Sequence, residues 1–400
     1  MNQVCSIEKC TGCAACVASC SQNAISLTEN QMGFKYPTIN TAKCVNCGLC
    51  LKVCPQNNEI KPGNTIKEIY GAFSKNTEIR KNSSSGGIFS ELAKKVINGG
   101  GVVYASRMSS DCRTVYFDTC ARVEDIEFFR GSKYLQSDPG LIYRKIKKQL
   151  ADSNKQVLFV GTGCQVAGLR AYLGKKYDNL MCVDIICHGV PSPKLWREHI
   201  SVIESHMNDV AQKVNFRYKY PSWTEFSLHV QGENGKDYIK SKFDDEYLIG
   251  FLTELTLRPN CYSCPYASTN RTGDITLADF WGYKSTDFKM RNTEKGISLV
   301  LINTDKGHNA FDDIASEIRI VKKKLKEAMS GNRSLKEPWC KNPKADEFWN
   351  AYIKSNDLAS VYNKYCIPYR FPLSTKINWF ILNHLYLVPK PILRKKGLID

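Results

Sequence analysis

The sequence predicts a small α+β segment organised around cysteines, followed by an α/β domain with a mainly parallel core sheet. Two observations carry this. The first sixty residues hold two cysteine runs of matching spacing, and residues 155–189 read as buried strand, helix, buried strand. At 400 residues the chain is long enough for two or three compact domains. The expected segments are 1–60, 66–150, 151–335 and a helical, basic tail at 336–400, with a linker around 57–66 that contains Pro62 and Gly63.

The runs are Cys10-x2-Cys13-x2-Cys16-x3-Cys20 and Cys44-x2-Cys47-x2-Cys50-x3-Cys54-Pro55. Two-residue gaps let three thiolates wrap one corner of a 4Fe–4S cubane, and the fourth cysteine crosses on a short helix to the other cluster. The expected ligand sets are therefore Cys10, Cys13, Cys16 and Cys54 for cluster one, and Cys44, Cys47, Cys50 and Cys20 for cluster two. Zinc, the competing reading, takes four ligands in one tetrahedral site and does not account for eight in two equal runs. Segment 1–60 is thus expected to be a ferredoxin-like dicluster domain. Ser21 follows Cys20 where proline is common, and Cys5 falls outside both runs as a spare thiol.

Eighteen cysteines without an export signal point away from a secreted disulfide scaffold. The expected location is cytoplasmic, since the start of the chain shows no basic and apolar leader. No apolar run is long enough to span a membrane. The net charge of +17 suggests nucleic acid until cluster thiolates are counted against it. With no helix-turn-helix, zinc-finger or aromatic-interleaved basic stripe, nucleic acid is not an expected partner.

In the second domain, residues 156–160 read as a strand ending in Gly161-Thr162-Gly163-Cys164-Gln165. A helix runs to about residue 172, and a second strand over 180–186 ends in Cys187-His188-Gly189. Two such strands pair in parallel, so both loops lie at carboxyl ends, where open α/β sheets bind ligands. Cys164 and Cys187 should therefore converge. Cys261-x2-Cys264, after a helical stretch over 246–257, completes four thiolates for a third 4Fe–4S cluster. A redox-active CxxC pair and packed, inert thiols remain alternatives. Ser83-Ser84-Ser85-Gly86-Gly87 precedes a helix over 88–97, and reads either as an anion site on open backbone N–H groups or as a plain Ser N-cap.

Further motifs extend the pattern: Gly131-Ser132-Lys133-Tyr134, then Asp274 to Gly282. In this order the set resembles the coenzyme F-420 (5-deazaflavin) hydrogenase/dehydrogenase beta-subunit family, over about residues 1–330, fused to a two-cluster ferredoxin module. The resemblance implies an α/β flavin-binding domain holding FAD beside an iron–sulfur cluster. It implies an oxidoreductase that exchanges electrons between the clusters and a deazaflavin or another organic substrate, with a ferredoxin-like or other redox protein as partner. The alternative is a non-catalytic electron-transfer subunit of a larger complex. Ser84, Ser85, Gly86 and Gly87 would hold the FAD phosphates, and Gly161, Thr162, Gly163, Gln165 and Gly189 would border the flavin and the third cluster. Gly163 stands where the family commonly has proline.

His188 is a candidate proton relay, against a histidine satisfied by backbone. Lys133 is a candidate counter-charge to flavin, and Asp279 either orients a ligand or closes a turn. The apolar stretch between Lys376 and Pro389, with basic residues after it, reads as a peripheral membrane contact or as a helix docked on the core or a partner. Homo-oligomerisation is a further expectation.

Overall fold

The computed structural model describes residues 3–58, 64–284, 290 and 294–367. In the N-terminal part, α1 (Ala15–Ser19) leads to an antiparallel hairpin, β1 (Ile25–Glu29) and β2 (Lys35–Ile39), and then to α2 (Leu49–Lys52). Both helices are single turns because the cysteine spacing leaves no room for more. Each starts from a left-handed residue, Ala14 or Gly48. Cys20 and Cys54, expected on the helices, instead lie just beyond their ends.

Along the rest of the chain, β3 (Glu68–Ser74) passes through α3 (Thr77–Asn82) and α4 (Ile88–Asn98) to β4 (Val102–Met108) and β5 (Val115–Cys120). After α5 (Ile126–Phe129) and α6 (Ile142–Asp152), the expected strand–helix–strand unit is β6 (Val157–Thr162), α7 (Gly163–Leu173) and β7 (Leu180–Ile185). An insertion follows: α8 (Pro193–Met207), a separate antiparallel sheet of β8 (Ala211–Tyr218), β9 (Ser227–Gly232) and β10 (Asp237–Ser241), and α9 (Glu246–Leu252). The chain then returns through β11 (Ile275–Asp279), β12 (Ser298–Ile302), α10 (Asp305–Asp312), β13 (Ile318–Lys322) and α11 (Leu325–Gly331). Helices α12 (Ala345–Ser355) and α13 (Leu358–Tyr365) complete the described part.

The large sheet has the order β13-β3-β12-β11-β7-β6-β4-β5. Its four central strands, β11, β7, β6 and β4, are parallel. Every flanking pairing is antiparallel, so the expected parallel core is extended at both sides by antiparallel partners. On one flank the reason is local. The turn after β4 is too short for a crossover helix and admits only an antiparallel neighbour.

Alternation along the strands splits the core into two layers. Val157 and Phe159 of β6 pack with α6 and α7, while Leu158 faces α4. On β12, Val300 and Ile302 join the α4 side, and Leu299 and Leu301 the opposite one. The N-terminal part packs against this body. Ala15 and Ala18 enter the α6–α7 layer, and Phe34 and Tyr36 enter the core around Trp196 of α8. Arg144 of α6 caps the end of α1, donating from Nε to the Ala18 carbonyl at 2.7 Å and from Nη2 to those of Val17 and Cys20.

Helix α9 ends at Leu252, short of the expected residue 257, because Glu254 turns left-handed at φ +58°. Among the described residues, no helix is long and apolar enough to cross a membrane. The stretch between Lys376 and Pro389 lies outside them.

Candidate functional site

The carboxyl ends of β6 and β7 open on a recess lined by Cys164, Cys187, Cys261 and Cys264. The parallel register of the two strands, Thr162 opposite Ile185, brings the first two together. Cys164 stands in the first turn of α7. That turn is fixed by Thr162, whose N–H donates to Gln165 Oε1 at 2.9 Å and whose Oγ1 lies 3.1 Å from Cys164 Sγ. Cys187 follows β7, and the chain reverses at Gly189 with φ +143°. An L side chain is strained at that φ, and a Cβ would also lie 2.8 Å from Leu257 Cδ1, so glycine is favoured.

Cys261 and Cys264 lie on a short 3-10 turn, Pro259–Ser263, and just after it. Arg271 clamps this segment to the end of β7. Its guanidinium donates to the carbonyls of Tyr266 and Ser268 at 3.0 Å and pairs with Asp184 at 3.0 Å, both side chains being buried. Asp184 is held in turn by the backbone and hydroxyl of Thr272 and by Thr276. The clamp makes a long-range juxtaposition of cysteines rigid.

Burial pushes the thiols of this recess upward, Cys187 to about 12 and Cys164, Cys261 and Cys264 in the same direction. Neighbouring thiols add to the effect at Cys164, Cys187 and Cys261. Gathered, desolvated sulfurs become thiolates readily only around a positive core. Asn260, also lining the recess, is buried with Oδ1 lacking a hydrogen-bond partner. The donor set suits a cubane. A single zinc would draw its sulfurs to about 3.8 Å of one another at a bond length of about 2.3 Å. Among the described residues, no group of three or more candidate ligands is gathered closely enough for a single ion.

A second cavity is lined by Cys10, Cys13, Cys16 and Cys54. This is the crossed set expected for cluster one. Cys5 lines it too. Its thiol shifts Cys10 and Cys54 downward, while burial raises Cys13 to about 11. Cys5 itself is half-buried. Of the other set, Cys50 is buried and feels the charges of Cys47 and Cys20, while Cys47 is exposed. Thr11 lines both cavities, which places them side by side.

The remaining candidates divide. Thr162, Gly163, Gln165, His188 and Gly189 line the recess. Gln165 is engaged within the protein, its amide donating to Ser137 Oγ at 2.8 Å. His188 Nε2 lies 3.2 Å from Glu254 Oε1, yet neither atom makes an aligned hydrogen bond. The ring packs between Phe251 and Trp339.

Ser84, Ser85, Gly86 and Gly87 do not line the recess; they lie at the same sheet edge, beyond β3. Ser84 Oγ accepts from Ser132 N–H at 2.7 Å, and Ser85 Oγ donates to the Ile297 carbonyl at 2.7 Å. The N-cap of α4 is Gly87, not a serine, with no side chain closing the helix start. Lys133 is half-buried, and Nζ donates to the carbonyls of Phe129 and Arg130 at 2.7 and 3.1 Å. Desolvation holds it down to about 7. Asp279 accepts from Trp223 Nε1 at 2.7 Å and pairs with Arg217 at 3.2 Å, so its acceptors are spent within the fold. Among residues the sequence did not single out, Thr11, Gln136, Asn260 and Tyr266 line the recess. Of these only Asn260 and Tyr266 carried a signal, as neighbours of the CxxC pair.

Residues 9–58 match the 4Fe–4S dicluster domain, and residues 154–328 match the family described as the C terminus of the coenzyme F420 hydrogenase/dehydrogenase beta subunit. No curated protein matches. Among solved structures the chain is similar to a chain of the F420-reducing [NiFe] hydrogenase complex from Methanosarcina barkeri. The two are 19% identical with a TM-score of 0.45, covering 70% of this chain and 98% of that one. The protein thus joins an N-terminal region that matches the 4Fe–4S dicluster domain to one that matches the C terminus of the coenzyme F420 hydrogenase/dehydrogenase beta subunit.

Proposed function

We propose that the chain is an iron–sulfur flavoprotein oxidoreductase with three 4Fe–4S clusters and FAD, exchanging electrons with a deazaflavin or another organic substrate. One observation carries the reading: four cysteines from three separate segments meet in one recess that shares Thr11 with the cavity of cluster one. Cluster two, with Cys47 exposed, is the end of this line that a ferredoxin-like protein would reach. The recess is the other end.

For FAD, the open start of α4 after Gly87 fits a phosphate, since no side chain occupies its N–H groups. Arg130, whose Nε is fixed by Ser90 Oγ at 3.0 Å, adds positive charge at the same helix. FAD would match a two-electron organic partner to one-electron cubanes. His188, packed between aromatic rings at the recess, can hold a proton at Nε2 with Glu254 beside it.

The test is anaerobic reconstitution with iron, sulfide and FAD, followed by donors in turn: reduced deazaflavin, NADH, NADPH and reduced ferredoxin. About one FAD per chain and flavin bleaching by one donor are expected. Absence of bound flavin would overturn the flavoprotein reading. Bound flavin that no organic donor reduces would favour a dedicated electron-transfer subunit.

A further inference from the structure

A guanidinium that no carboxylate of the described residues pairs with lies between the two cysteine cavities. Arg258 is 0% exposed. Its Nε donates to the Cys10 carbonyl at 2.9 Å, Nη1 to Gln136 Oε1 at 2.9 Å and Nη2 to the Lys35 carbonyl at 3.1 Å. Its own backbone belongs to the recess: the N–H donates to Val190 and the carbonyl accepts from Cys261, both at 2.9 Å. The plane of the guanidinium lies 4.1 Å from the Tyr36 ring.

All three of these acceptors are neutral, and among the described residues no carboxylate pairs with Arg258. Arginine keeps its charge at any accessible pH, and an isolated buried cation is strongly disfavoured. Anions must therefore answer it. Those in reach are cysteinates, Cys10 on one side and Cys261 on the other.

We propose that Arg258 is the shared counter-cation of cluster one and the recess cluster, raising the reduction potential of both and levelling electron transfer between them. The inference rests on the three-cluster reading above. An electron crossing between them leaves one cluster oxidised and the other reduced, with no bond made and no proton moved. Each reduction adds a negative charge, which a cation in a low-dielectric interior stabilises on either side. Cluster two does not touch this side chain and is the internal reference. Arg258 is a positioning residue in this account, acting on the clusters without reacting.

The experiment compares the full reconstituted chain with Arg258→Gln and Arg258→Lys, by iron content and by potentiometric titration followed by electron paramagnetic resonance. In R258Q two of three midpoint potentials should fall while the third stays, and R258K should restore them. Full iron in R258Q with all potentials unchanged would overturn the proposal. Should R258Q bind less iron, R258K decides. Wild-type iron and potentials there support the charge role, and an equal loss of iron shows that the fork only braces the interface. A wild-type count of about eight irons would instead sink the three-cluster reading itself.

Discussion

Gly168 of α7 packs directly on Cys13 of the dicluster domain: a Cβ on Gly168 would lie 3.0 Å from both Cβ and Sγ of Cys13. Helix α7 carries Cys164 in its first turn, so one helix touches both cysteine cavities within about a turn. The proposed electron path is thus built into the contact between two helices.

Gly168→Val should force α1 away and disturb Cys13. Overpacking of this kind costs about 1–3 kcal/mol. The variant is expected to lose about four irons, those of cluster one, and to keep the rest. Iron and sulfide analysis after anaerobic reconstitution measures this; unchanged content would show that the contact yields without consequence.

Removing one partner of the buried Arg271–Asp184 pair leaves the other uncompensated, at about 3–5 kcal/mol. Arg271→Met is therefore expected to lower the urea midpoint strongly, and to free the Cys261–Cys264 segment from β7. A midpoint shift equivalent to less than about 1 kcal/mol would place the clamp among pairs of little weight.

Lys133 and Lys219 are each held by desolvation at about 7, against 10.5 for an ordinary lysine. Between these values the unfolded chain binds more protons than the folded one, so these groups make stability rise with pH from about 7 towards 10. Lys133→Met removes one contribution. Its unfolding midpoint should climb less steeply over that window than that of the wild type; parallel profiles would contradict the shift.

The dicluster residues were legible because ligand spacing is covalent chemistry, and Cys10 to Cys54 stand in a pattern that names its metal. Cys164 and Cys187 were legible through strand direction, since parallel neighbours must end at the same edge. Arg258 and Arg271 were not. Each works through carbonyls far away in sequence, and the single weak sign for Arg258 is its place three residues before Cys261. The antiparallel flanks formed by β12 and β13 were equally hidden, since β3, which lies between them, comes more than two hundred residues earlier.

The most direct measurement is the iron and sulfide content of the anaerobically reconstituted chain beside its Cys187→Ser variant. About twelve irons in the wild type and about eight in the variant are expected, with the dicluster signals retained. About eight in both would show that the four converging cysteines hold no cluster.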